Sequence, residues 1–271
     1  SHNPPEYNGI KFIPDDGAAA LPDVMNGIAD RLAEPVDPDP DDRGAIHEVD
    51  VVEPHAQHSM ELVDPPALGD LHVVYDAMHG SGRGVTDALL ERAGATVDRL
   101  RCEQDPDFGG TNPEPNAERL QTLIETVRES DADLGVANDG DADRVTVVTP
   151  ERGHVDGNLL YAVLYEYLLE DDAGPAVRTV STTFLIDKIA RAHGETVHET
   201  PVGFKWIGKG MADHDALIGG EESDGFTTRG HIRLKDGVLI ALYAAAAAAE
   251  QPLDDRLDAI EAEYGEIDAD K

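Results

Sequence analysis

A second cysteine is missing from this chain of 271 residues. With Cys102 alone no internal disulfide can form, and Cys102 reads as a small buried apolar side chain. Basic residues are scarce: 21 Lys+Arg stand against 56 Asp+Glu, a formal net charge of −35. Such a chain repels phosphate backbones and anionic lipid, so neither nucleic acid nor a membrane is an expected partner. Aromatic residues are only 5%, yet apolar residues reach 40%, enough for a core and an argument against disorder. Long apolar runs are also lacking. Ala244–Ala249 is too short to span a bilayer and reads as helix. No segment reads as a signal peptide, so the cytoplasm is the default expectation. The acidic charge is spread over the whole chain with no acidic tail. This pattern reads as adaptation to molar salt, where screening suppresses self-repulsion. Only six lysines occur, and Lys11, Lys205 and Lys235 fall inside the motifs below.

The length suggests about two domains. Residues 1–64 read as a loop, a short strand at Gly9–Ile13, a helix at Leu21–Ala33, an acidic Pro-rich turn at Glu34–Asp42 and a partly helical connection. From residue 65 to 172, strands at Leu71–Asp76, Thr96–Arg101, Asp133–Asn138 and Val145–Val148 alternate with helices at Val85–Ala93, Leu120–Ser130 and Asn158–Leu169. A glycine-rich turn, Met78–Gly84, follows the first strand. From 173 to 271 the plan repeats: strands at Arg178–Ser181, Glu195–Thr200 and Ala216–Gly219, helices at Phe184–His193, Phe204–Asp213 and Val238–Ala249. Alternation of this kind predicts an α/β fold of consecutive similar units with mostly parallel sheets.

Asp139-Gly-Asp-Ala-Asp-Arg144 carries the clearest chemistry. Its three carboxylates alternate in a tight loop pinned by strands on both sides. Converging anionic oxygens suit a hard divalent cation such as Mg²⁺. An EF-hand loop needs Gly at its sixth position and Glu at its twelfth. Arg144 and Pro150 stand there, which excludes it. A solvated acidic loop is the plainer alternative, but it does not explain the flanking apolar strands.

Three further stretches are weaker alone. Ser1-His-Asn-Pro-Pro-Glu-Tyr-Asn-Gly-Ile-Lys11 can hold an exposed serine beside a cation, or be only a Pro-rich turn. Gly219-Gly-Glu-Glu-Ser-Asp-Gly225 puts Glu221 and Ser223 two residues apart, on one side of an extended segment, as a sugar's vicinal hydroxyls would require. A polar β-turn is the alternative. In Gly230-His-Ile-Arg-Leu-Lys-Asp-Gly237 the basic side chains His231, Arg233 and Lys235 alternate, which suits phosphate. The alternative is a polar edge strand.

Together and in this order, these motifs resemble the α-D-phosphohexomutases, the phosphoglucomutase and phosphomannomutase family. Ser1-His-Asn-Pro with Tyr7–Lys11 looks like the phosphoserine loop, and Asp139–Arg144 like the metal loop. Pro201-Val-Gly-Phe-Lys-Trp206 and Gly220–Gly225 look like the sugar-specificity loops, and Pro106–Thr111 also matches. The resemblance implies three-layer α/β/α units: the end of domain 1 (1–64), domain 2 (65–172) and most or all of domain 3 (173–271). It also implies that this is a piece of a longer protein, without the strand and helix before Ser1 and without domain 4, whose loop grips the substrate phosphate. The implied reaction interconverts hexose 1-phosphate and hexose 6-phosphate through phospho-Ser1, with hexose 1,6-bisphosphate as intermediate and activator. Mg²⁺ would be held by Asp139, Asp141, Asp143 and a phosphate oxygen on Ser1. Lys11 would act in proton transfer or on the phosphate, His2 would support the serine loop, and Arg144 would contact phosphate. Lys205, Glu221, Ser223, His231 and Arg233 would bind substrate, and Lys235 would join proton transfer. Gly-Glu-Glu-Ser looks more like the glucose-type members, with mannose as second choice. A Mg²⁺-dependent phosphatase and a non-catalytic sugar-phosphate module are the rivals. A monomer or dimer is expected.

Overall fold

The computed structural model describes residues 9–34, 36–37, 39 and 44–266. Ser1, His2 and the rest of the serine loop up to Asn8 lie outside them. Residues 9–14 form no strand. The first regular element is helix α1 (Pro22–Ala29), begun by a proline, and it buries no residue completely. Helix α2 (Val52–Val63) follows.

The first sheet holds β1 (His72–Asp76), β2 (Thr96–Leu100), β3 (Leu134–Asn138), β4 (Val145–Thr149) and β5 (Gly153–His154) in the order β2-β1-β3-β4-β5. β2, β1 and β3 run parallel; β4 runs antiparallel to β3, and β5 antiparallel to β4. Helices α3 (Thr86–Arg92) and α4 (Gln121–Glu129) connect the parallel strands. β1 and β3 are covered on both faces, which is why they read as nearly continuous apolar runs.

The second sheet holds β6 (Ala176–Thr179), β7 (Val197–Thr200), β8 (Ile218–Glu221) and β9 (Gly225–Thr228) in the order β7-β6-β8-β9. The first three are parallel and β9 is antiparallel. So both sheets share one plan: an edge strand, two parallel strands, then a hairpin return. β7 is only partly covered, with Glu199 exposed, because it is an edge. Helices α6 (Leu185–Ala192) and α7 (Phe204–His214) flank this sheet.

Two helices join the units. Helix α5 (Gly157–Asp171) follows the first sheet in sequence but packs on β8 and α6. Helix α8 (Gly237–Glu250) follows the second sheet but packs on β3, β4 and α3. The Ala244–Ala247 stretch is wholly buried, since methyl side chains let the helix lie close to its neighbours on every side. Leu239, Ile240 and Leu242 are equally buried, each contributing about 1.5–3 kcal/mol of transfer free energy. One apolar core therefore runs through both units. Helix α9 (Leu253–Tyr264) closes the fold against α5. Among the described residues no helix is long and apolar enough to cross a membrane.

Candidate metal centre and the surrounding cleft

The hairpin returns of the two sheets carry the two motifs of most interest. Residues 139–144 link β3 to β4, and residues 222–224 link β8 to β9. The loops touch: Val145 N–H donates to the Asp224 carbonyl at 3.1 Å, and the Thr146 hydroxyl to Asp224 Oδ2 at 2.9 Å.

Asn138, at the end of β3, shapes the acidic loop from below. Its Oδ1 accepts from the Tyr75 hydroxyl (2.9 Å) and the Thr86 hydroxyl (2.7 Å). Its Nδ2 donates to the Arg144 carbonyl at 2.8 Å, so one buried amide ties the two ends of the loop together. Ala142 adopts φ +58°, the left-handed conformation that lets the chain reverse within six residues. The Arg144 N–H donates back to Asp139 Oδ1 at 3.2 Å.

Other segments press the loop into place. Ser81 N–H, in the glycine-rich turn after β1, donates to the Gly140 carbonyl at 3.0 Å. Any Cβ at Gly80 would sit 2.8 Å from the Asp139 carbonyl, so only glycine fits there. Gly237, the first residue of α8, donates its N–H to the Ala142 carbonyl at 3.0 Å. A side chain on Gly237 would collide with the Arg144 carbonyl.

Held this way, Asp139, Asp141 and Asp143 each bring a carboxylate oxygen within 4.8 Å of the others. Asp139 is buried and Asp141 exposed. Burial, then the Asp143 charge, pushes the Asp139 carboxyl above its ordinary value. Two cations pair with Asp143: Lys235 Nζ lies 3.1 Å from its Oδ2, and Arg144 Nε 3.9 Å from its Oδ1. An all-oxygen donor set with concentrated negative charge fits a hard divalent cation.

The remaining candidates fall in several places. Glu221, at the end of β8, accepts from the Gly203 N–H at 2.9 Å and so draws the 201–206 loop onto the sheet. Ser223 lies in the turn between β8 and β9, half-buried, and not on the extended segment that the spacing predicts. Lys205 opens α7, with Nζ 5.5 Å from the Trp206 ring. Lys11 is exposed in the irregular segment before α1. Residues 231–236 are an irregular loop rather than an edge strand, so the alternation does not point its three basic residues one way. Lys235 reaches the acidic loop. Arg233 pairs with Asp16 Oδ2 at 3.0 Å, and His231 bonds Asp236 at 2.9 Å and His58 at 3.1 Å.

Sequence reasoning passed over Asn138, Asp224 and Glu222. Glu222 Oε2 accepts from the hydroxyls of Ser181 (2.9 Å) and Thr179 (3.2 Å). Asp224 is half-buried beside the acidic loop, with its carboxyl turned away from solvent. Burial pushes its carboxyl up to about 7 against the Thr146 hydrogen bond, with Asp156 adding. The unfolded chain ionises Asp224 near its ordinary value of 3.8, whereas the fold keeps the proton until about 7. Across that window the unfolded state binds fewer protons, so stability falls as pH rises and then levels off. Asp224→Asn is expected to remove this loss, gaining on the order of a few kcal/mol over the native chain above pH 7 and little near pH 4. Urea unfolding across that range checks it; parallel profiles for the two proteins would refute it.

Comparison with known proteins places these features. Models of the phosphoglucomutase/phosphomannomutase family match in three consecutive parts: α/β/α domain I over residues 1–37, domain II over 53–153 and domain III over 156–264. A Thermococcus kodakarensis phosphoglucomutase/phosphomannomutase is 32% identical over 245 residues, 88% of this chain and 54% of that protein. An Acidothermus cellulolyticus phosphoglucosamine mutase is 34% identical over 264 residues, 94% of this chain and 56% of that protein. Among solved structures, a Thermus thermophilus protein provisionally assigned as a phosphomannomutase superposes with TM-score 0.88 and 30% identity, covering 97% of this chain and 62% of that one. An Aspergillus fumigatus N-acetylphosphoglucosamine mutase, solved with GlcNAc-6P and magnesium, shares the fold at TM-score 0.58 and 14% identity, covering 77% of this chain and 48% of that one. The chain spans a little over half the length of the curated relatives it matches.

Proposed function

Because this chain belongs to the phosphoglucomutase/phosphomannomutase family, we propose that it is the phosphoserine- and metal-bearing part of a phosphohexomutase. The reaction would interconvert hexose 1-phosphate and hexose 6-phosphate, with glucose preferred and mannose second. The observation that carries this reading is the meeting of two hairpin loops. One gathers Asp139, Asp141 and Asp143 under Lys235 and Arg144; the other presents Glu221 and Ser223.

Phospho-Ser1 donates first. Its Oγ–P bond breaks as the phosphoryl group bonds to the free 6-hydroxyl oxygen of a hexose 1-phosphate, and the hydroxyl proton passes to a basic group, for which Lys11 and Lys235 are the candidates. The resulting hexose 1,6-bisphosphate turns over in the cleft. Its 1-phosphoryl group returns to Ser1 Oγ, and the 1-oxygen recovers a proton. Hexose 6-phosphate leaves and phospho-Ser1 is restored. Asp139, Asp141 and Asp143, with a phosphate oxygen on Ser1, would hold Mg²⁺, which would neutralise charge on the transferring group. Arg144 adds positive charge on the phosphate side, and His2 supports the serine loop. Glu221 and Ser223 accept and donate hydrogen bonds to adjacent sugar hydroxyls, with Lys205 as a further contact. His231 and Arg233 would act on the phosphate side only if substrate drew them from Asp236, His58 and Asp16.

The test completes the chain with the segments its relatives carry. Glucose 1-phosphate is followed to glucose 6-phosphate in molar KCl with Mg²⁺ and a trace of glucose 1,6-bisphosphate, beside Ser1→Ala. Conversion that vanishes in the control is the expected result. Mannose and glucosamine phosphates in the same assay rank the sugars. Release of inorganic phosphate without an isomer would replace the proposal with a phosphatase, and binding without turnover would replace it with a sugar-phosphate module.

A further inference from the structure

A second set of ligating groups converges where α2, the 230–236 loop and the start of α8 meet. His55 Nε2 lies 2.6 Å and His231 Nε2 2.9 Å from the same oxygen, Oδ2 of Asp236. The three donor atoms fall within 4.8 Å of one another. The other oxygen, Oδ1, caps α8 by accepting from Val238 N–H (3.0 Å) and Leu239 N–H (2.9 Å). The helix start thus fixes the carboxylate and turns its free oxygen toward both rings.

We propose that His55, His231 and Asp236 form a binding site for a divalent transition metal ion of the zinc type, separate from the carboxylate loop. Four observations carry this. The donor set is two imidazoles and one carboxylate, which suits Zn²⁺, Co²⁺ or Ni²⁺ rather than Mg²⁺. Three protein ligands leave one position for water or an exogenous group. The Nε2 atoms of His55 and His231 converge on one oxygen, Asp236 Oδ2, and the two rings lie at 80° rather than face to face.

The third observation concerns His58. Its Nε2 lies 3.1 Å from His231 Nδ1. When Nδ1 carries the proton and donates it to His58, the His231 Nε2 lone pair is free for a metal. An outer hydrogen bond of this kind orients metal-bound histidines generally. His58 is accordingly a positioning residue. Fourth, the site has a dry base and an open side. The side chain of His231 is 3% exposed, that of Asp236 12% and that of His55 28%. The open side faces a cleft of about 770 Å³ lined by His55, His58 and His231, which gives an ion a route in.

Binding would displace the protons that otherwise bridge the rings to Asp236, so the ion enters with release of protons. The residues on either side of Asp236 touch the carboxylate loop. Asp236 follows Lys235, which pairs with Asp143, and precedes Gly237, which holds the Ala142 carbonyl. An ion there would brace the start of α8 against the hairpin. The inference does not depend on the mutase reading.

The experiment titrates the chelator-treated chain with Co²⁺ and then Zn²⁺, with Mg²⁺ in large excess to occupy the carboxylate loop. One equivalent of Co²⁺ should bind with visible absorption bands of nitrogen and oxygen coordination, and Zn²⁺ should displace it. His55→Gln, at the more exposed ligand, should weaken binding about 100-fold, and His58→Gln about 10- to 100-fold, with melting temperatures near that of the native chain. Asp141→Asn should leave it unchanged. Native-like Co²⁺ binding in both histidine variants overturns the proposal. So does loss of the ion in Asp141→Asn, which assigns it to the carboxylate loop. If His55→Gln fails to fold, His58→Gln decides alone.

Discussion

Replacing Asp141 by Asn is expected to abolish the Mg²⁺-dependent stabilisation of this chain and to lower turnover of the completed protein by about two to three orders of magnitude. Three carboxylates confined within 4.8 Å repel one another, and a cation at their centre reverses the sign of that energy. Losing one ligand removes a full negative charge from the set. Metal held at a hundredfold over its dissociation constant stabilises a fold by about 2.7 kcal/mol, and this increment should shrink toward zero in the variant. Without metal the sign is opposite. Asp141 is exposed, and neutralising it relieves repulsion on Asp139 and Asp143, so the apo melting temperature should hold or rise slightly. The turnover figure follows from what single preorganised electrostatic contacts contribute to charged transition states. Thermal melts with and without Mg²⁺ separate these effects before any activity is measured. A native-sized Mg²⁺ shift in Asp141→Asn would remove the carboxylate loop as the metal centre.

The features that could be read from the sequence are local ones. β1 and β3 announce themselves because burial on both faces demands an unbroken apolar run. The acidic loop announces itself because three alternate carboxylates need only five consecutive residues to be recognised. The hairpin strands β5 and β9 are two and four residues long, with glycine in each, and present no period to detect. In α9, Leu253, Leu257 and Ile260 do repeat at helical spacing, but they sit among acidic residues that hide the stripe. The site shows the same division. His231, Arg233 and Lys235 alternate in sequence, yet their directions depend on His58, Asp16 and Asp143, which are 173, 217 and 92 positions away. Strand alternation supposes a strand, and Gly230 at φ +85° turns the chain out of one. Asn138 carried no signal for the same reason. An asparagine before an aspartate looks like more loop until Tyr75 and Thr86 are seen to close on it.

Asn138→Ala is the substitution expected to damage the fold of the site most. The amide is fully buried and accepts from two hydroxyls while donating to the Arg144 carbonyl. Truncation leaves the Tyr75 hydroxyl, the Thr86 hydroxyl and that carbonyl to find new partners in a closed environment. Each unsatisfied buried group costs about 1–3 kcal/mol, and partial relaxation brings the sum to about 3 kcal/mol or more. Against a typical total of about 5–15 kcal/mol this is a large share. The melting temperature should fall by roughly 6–10 °C for a chain of this size. The loop also loses the tie between its two ends, so Mg²⁺ affinity should drop about 10- to 100-fold, as when other supports of metal ligands are removed. Tyr75→Phe provides the calibration. It deletes one donor and leaves Asn138 bonded to Thr86 and Arg144, so it should cost only about 1 kcal/mol and leave Mg²⁺ binding near native. Calorimetric melts and Mg²⁺ titrations of both variants make the comparison. If Asn138→Ala matched Tyr75→Phe in both measurements, the amide would be one hydrogen bond among many, and the metal loop would owe its shape to the glycine contacts at Gly80 and Gly237 instead.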